Sequence, residues 1–179
     1  MSDDDKVVLL AGTSEAGDGN PSKVEVTRKA ACMSELIKSM LADDDDPNEV
    51  PEIPLLEVSK DILDKVVVFL NKHRDDPMKT IHKPISTSNL KDIVSEWDAD
   101  YIDLEQEQLF KVILAANYLD IPSLLDLGIT KFCTMIKDKD VDEVKEMLNI
   151  EKGITPEEER LVREKNDWIF DVHKPAASE

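Results

Sequence analysis

The stretch Gln108–Asp126, QLFKVILAANYLDIPSLLD, constrains the fold more than any other part of the chain. Leu109, Phe110, Val112, Ile113, Leu114, Ala115 and Ala116 are apolar on almost every face of a helix. A helix without a polar side is expected to be buried. Asn117 and Tyr118 interrupt the run with two polar groups, and Asp120-Ile121-Pro122 ends it and starts another helix. Proline suits that first turn because no backbone N–H is needed there. The second helix carries Leu124, Leu125, Leu127, Ile129, Phe132, Met135 and Ile136, which are apolar on more than one face. One face serves the core; the surplus is either buried in full or left as a surface for another protein. Gly128 inside this helix costs up to about 1 kcal/mol against alanine unless a close neighbour needs the space.

Upstream the pattern alternates between strand and helix. Lys6–Leu10 reads as a short strand, followed by a loop of small and turn-forming residues, AGTSEAGDGNPS. Lys23–Thr27 alternates with period two, as a half-exposed strand should. Met33, Leu36, Ile37, Met40 and Leu41 then follow the spacing of one amphipathic helix, which the acid run Asp43–Asp46 ends. Leu55–Val58 supplies a third strand. Ser59 is expected to cap a helix that buries Ile62, Leu63, Val66, Val67, Phe69 and Leu70, with His73 and Arg74 at the negative end of its dipole. Residues 77–95 have no clean period and read as a mobile loop. Beyond them everything reads as helix. Three start signals stand out: Asp103 with Gln106, Asp140 with Glu143, and Thr155-Pro156-Glu157-Glu158. Short strands among helices, then helices alone, make an α+β pattern.

Forty acidic residues against 22 basic ones give a formal charge of −18 over 179 residues, which argues against nucleic acid and anionic membrane as partners. No apolar run approaches a membrane span, and MSDDDK has the wrong charge for a signal peptide, so an intracellular chain is expected. Cys32 and Cys133 read as buried free thiols rather than a disulfide or metal pair. The run Asp43–Asp46 lacks the alternating ligand spacing, central glycine and closing glutamate of a calcium loop. His73, His82 and His173 have no zinc spacing, and no serine sits in a nucleophile or phosphate motif. Neither an enzyme nor a cofactor is expected. The terminal helix has only an intermittent stripe, Leu161, Val162, Trp168 and Ile169, too sparse to hold it firmly alone. Either Trp168 packs down on the preceding helix, or the segment orders against a partner with Trp168 as anchor.

Gln108–Asp126 together with ITPEEERLVREKNDW at Ile154–Trp168 resembles the Skp (S-phase kinase-associated) family. The likeness extends to IPLLEV at Ile53–Val58, HRDDP at His73–Pro77 and EWDADYI at Glu96–Ile102, so it spans Met33–Trp168. It is weak before Met33 and absent in the tail. It implies a BTB/POZ fold over residues 1–137, an F-box-binding helical extension over 138–170 and a tail over 171–179. It also implies a non-catalytic adaptor between F-box proteins and a cullin, working in cytoplasm and nucleus. On the family pattern Asn117 and Tyr118, with Met40 and Leu41, fall on the cullin side. Leu125, Ile129, Phe132, Ile136, Val162, Arg163, Asn166 and Trp168 fall on the F-box side. Gly128 and Phe132 depart from that pattern and suggest a reshaped partner surface. Some protist members carry a hydroxylated, glycosylated proline in a similar acidic context, which makes Pro156 a candidate for that modification beside its plain role in helix initiation. The rival readings are an F-box adaptor that works without cullin, and a small acidic enzyme subunit or ion buffer. Weak pairing of free chains is left open.

Overall fold

The computed structural model describes residues 6–12, 22–42, 50–150 and 155–166. The acid run Asp43–Asp46, most of the loop after Gly12, and Ile154, Trp168, Ile169, His173 and the tail lie outside the described residues. The chain divides between Asp138 and Lys139 into two compact units.

The first unit is a small sheet with helices. β1 (Lys6–Gly12) lies between β2 (Ser22–Thr27) and β3 (Glu52–Ser59), antiparallel to the first and parallel to the second. Its side chains alternate as a pleated strand requires: Val7, Leu9 and Ala11 are fully buried, while Val8 and Leu10 are only half-covered. Helix α1 (Arg28–Ala31) follows β2, and α2 (Glu35–Ala42) follows α1. The amphipathic helix expected from Met33 thus begins two residues later, after a turn over Cys32–Ser34. The Ser34 hydroxyl explains the turn: it accepts from the Ile37 amide and donates to the Leu119 carbonyl, while the Glu35 amide donates to Asp120 O at 3.1 Å. A serine that caps one helix and holds the end of another cannot sit inside a continuous helix.

α3 (Lys60–His73) buries the expected face, Ile62, Leu63, Val66, Val67, Phe69 and Leu70. Ser59 precedes it without capping it; its hydroxyl donates to Asp61 Oδ1 at 2.6 Å instead. At the other end His73 is buried, with Nε2 2.8 Å from Asp98 Oδ1 and Nδ1 2.9 Å from the Asp76 carbonyl. Asp98 belongs to α4 (Glu96–Tyr101), whose cap is Ser95. The rings of Phe69, His73, Trp97 and Tyr101 pack in one cluster around this pair, with Trp97 stacked on Tyr101. Burial pushes the Tyr101 hydroxyl above its ordinary range, and that hydroxyl donates to the Lys65 carbonyl at 2.9 Å.

Segment 77–95, expected as a loop, is irregular up to Asn89 and makes contacts with the rest of the unit. Ile81 and Leu90 are buried, a 3₁₀ turn runs over Leu90–Asp92, and Lys83 reaches Asp126 at 3.0 Å. The Lys137 ammonium donates to the Ile85 carbonyl at 3.0 Å. Asp103 does not cap the following helix; it pairs with Lys131 at 2.7 Å, and α5 (Gln106–Tyr118) starts after Glu105. α5 packs on α6 (Pro122–Ile136), where Gly128 meets Ile113. A Cβ on Gly128 would stand 2.6 Å from Ile113 Cγ1, so the glycine is the price of close helix packing inside the unit and faces the core. Phe132 stacks obliquely on Phe110, ring centres 5.5 Å apart.

The second unit contains α7 (Val141–Met147) and α8 (Pro156–Lys165). Both start with the expected reciprocal caps, Asp140 with Glu143 and Thr155 with Glu158.

Candidate functional site

The last turn of α5 is fixed by its own termination. The Leu119 amide donates to Ala115 O, Asp120 to Asn117 O and Ile121 to Ala116 O, the last at 2.9 Å. Asp120 adopts φ 50°, the left-handed conformation that lets such a pair of closing bonds form. The chain turns away here and leaves Asn117 and Tyr118 on the surface.

Beside this turn is a groove of about 530 Å³, lined by Glu57, Val58 and Ser59 of β3, Ile62 of α3, and Lys111, Leu114, Ala115, Asn117 and Tyr118 of α5. Val58, Ile62 and Ala115 are buried and form its apolar base. Leu114 is 68% exposed and Tyr118 40%. The expectation that α5 is buried on every face therefore fails at Leu114, although Leu109, Val112, Ala115 and Ala116 are buried. Charged groups stand at the rim. Lys111 pairs with Glu107 at 2.7 Å, and this contact holds the Glu107 carboxyl below its usual range. The Ser59 hydroxyl, as the main cause, does the same for Asp61. An apolar base with an aromatic and amide lip suits a bulky side chain presented by another protein.

Residues 18–75 match the family model described as the Skp1 family tetramerisation domain, and residues 122–169 match the Skp1 family dimerisation domain. A protein from Tetrahymena thermophila, named S-phase kinase-associated protein 1 homolog, is 47% identical over 146 residues, covering 81% of this chain and 86% of its own. The chain belongs to the Skp1 family. Two fungal relatives carry the name E3 ubiquitin ligase complex SCF subunit sconC. The one from Arthroderma otae is 38% identical over 166 residues, 92% of this chain and 99% of its own. The one from Emericella nidulans is 42% identical over 163 residues, 91% and 97%. The α+β fold is of the BTB/POZ kind that the first match describes.

On this Skp1-family chain the groove draws Glu57–Ser59 and Ile62 from the first matched region, and Lys111–Tyr118 from the stretch between the two. Asn117 and Tyr118 are brought together there. Met40 and Leu41 do not line it: Leu41 is buried in the core and Met40 is half-buried against it. On α6, Ile129 is 42% exposed, while Leu125, Phe132 and Ile136 are half-buried. In the second unit Val162 is 51% exposed, Arg163 pairs with Glu159 at 3.0 Å, and the Asn166 amide donates to Val162 O at 2.7 Å. Trp168 lies outside the described residues. Pro156 is exposed at the first position of α8, directly after the Thr155 cap. Sequence reasoning missed Glu57, Val58, Lys111 and Leu114 as groove residues. Apolar spacing marks Val58 and Leu114 as strand and helix positions, and cannot tell a covered side chain from one awaiting cover.

Among the described residues no group of histidine, cysteine or acid side chains is placed to hold a metal ion, and no helix is long and apolar enough to cross a membrane.

Proposed function

We propose that this chain is a non-catalytic adaptor of a ubiquitin ligase, joining the F-box of a substrate receptor to a cullin scaffold. The groove beside Asn117 and Tyr118 carries the reading: among the described residues it is an uncovered apolar slot, built by elements whose positions the core of the first unit fixes. The cullin side then comprises Asn117 and Tyr118 with Leu114 at the groove, and Met40 and Leu41 at the end of α2, outside the groove lining. For the F-box, the contacts we propose are Leu125, Ile129, Phe132 and Ile136 on α6 of the first unit and, separately, Val162, Arg163, Asn166 and Trp168 of the second. The adaptor supplies placement rather than chemistry, holding a bound substrate where the ubiquitin-loaded enzyme can reach it. Such work places it in cytoplasm and nucleus.

Affinity purification of the tagged chain from its native host, with mass spectrometry of what it carries, tests this. Cullin and F-box proteins in one eluate support the adaptor. F-box proteins without any cullin assign the chain to a cullin-free assembly. For Pro156, exposed at the head of α8, we propose helix initiation as its role, with hydroxylation and glycosylation as the alternative. An unmodified mass for its peptide from native material leaves it with helix initiation alone.

A further inference from the structure

The β3 wall of the groove does not lie flat in the sheet. β1 and β3 stay in register from Val8–Glu52 to Ala11–Leu55, and the next pair is Gly12 with Ser59. One step along β1 is matched by four along β3, so Leu56, Glu57 and Val58 bulge out of the ladder. Gly12 sits buried against this bulge. A Cβ on it would stand 2.1 Å from the Leu56 carbonyl oxygen, 3.0 Å from the Leu56 carbonyl carbon and 3.4 Å from the Val58 oxygen. These are backbone atoms, which cannot swing aside as the tip of a side chain can. Any other residue at position 12 must displace the bulge.

The displaced residues include Glu57 and Val58, which line the groove with Leu114, Asn117 and Tyr118. We infer that Gly12 is a positioning residue for partner binding at the groove: the absent side chain lets the β3 bulge close down to the place where it forms the wall beside α5. Sequence pattern gives Gly12 to the loop that follows the first strand; the structure makes it the last residue of β1. The inference rests on the reading of this groove as the cullin-facing surface.

The test uses the full chain and titration calorimetry against a cullin and, separately, an F-box protein. Gly12→Ala is expected to weaken cullin binding roughly tenfold or more and Gly12→Val further, with F-box affinity held within about twofold. A wild-type chain that binds no cullin removes the reading of the groove itself, before Gly12 enters. If the wild-type chain binds cullin and both variants bind equally well, the role of Gly12 is overturned and the groove reading stands. A folded variant that loses both partners also overturns it, because the damage is then not local. Methyl NMR on the wild-type chain covers the case of a variant that fails to fold. On adding cullin, the Leu56 and Val58 signals should shift together with Leu114. Stationary Leu56 and Val58 signals in a chain that binds cullin contradict the inference.

Discussion

Up to Asp138 the helices are fixed by what they bury, whereas α7 and α8 bury no residue completely and are fixed by their ends. Phe69, Leu63, Leu109 and Leu124 are all inaccessible in the first unit, in one continuous apolar cluster. In the second unit Val141 is 69% exposed, and Leu161 and Val162 are about half exposed. What holds α8 is local: Thr155 Oγ1 accepts from the Glu158 amide, Glu158 accepts from the Thr155 amide at 2.8 Å, and Arg163 pairs with Glu159. Each such cap contributes about 1 kcal/mol, and a ten-residue helix is marginal on that alone. The first unit is a scaffold that keeps a groove in shape. Among the described residues of the second, Val141, Leu161 and Val162 stand exposed, while Val144, Met147 and Leu148 are half-buried.

The contrast breaks most directly at the core. Phe69→Ala should cost about 3–5 kcal/mol of stability, read by urea denaturation, because it empties the centre of the aromatic cluster. The matching change in the second unit, Leu161→Ser with Val162→Ser, should move stability by less than about 0.5 kcal/mol. The same pair should weaken F-box binding by about 2 kcal/mol. A large loss of stability from that pair would mean α8 is held by packing after all. Gly128→Ala sharpens the account of the first unit. Helix propensity alone makes alanine the better residue by about 1 kcal/mol, yet the Ile113 contact should turn the change into a loss of about 1–3 kcal/mol. The smallest effect is electrostatic. The Thr155 amide and hydroxyl hold the Glu158 carboxyl below its usual range, so its contribution to α8 is complete above the ordinary glutamate value. It is lost as pH falls through the depressed value. Amide NMR across that acid range should show α8 fraying before any change in α3 or α5.

The sheet and the faces of α3 were legible because strand and helix periods differ and the core enforces them. Both caps of the second unit were legible because capping is local in sequence. What escaped was set by contacts far along the chain. Met33 keeps the helical spacing, but Ser34 binds Leu119, 85 residues away, and leaves Met33 in the turn before α2. Asp103 has the look of a cap and is taken by Lys131. Leu114 reads as core, and only the fold leaves it beside an open groove. Gly12 reads as loop because the bulge that requires it belongs to another strand. Asn117 and Tyr118 came from family likeness, with the structure adding the groove they border.

Two surfaces on separate elements are proposed to hold the two partners. Replacing Asn117 with Ala and Tyr118 with Lys, and measuring affinity for a cullin and for an F-box protein on the same preparation, tests it most directly. Both residues are exposed at the lip of the groove, so the fold should be retained. Cullin binding should be lost while F-box affinity stays within about twofold of wild type. Loss of both partners by a folded protein, or cullin binding left intact, would contradict it.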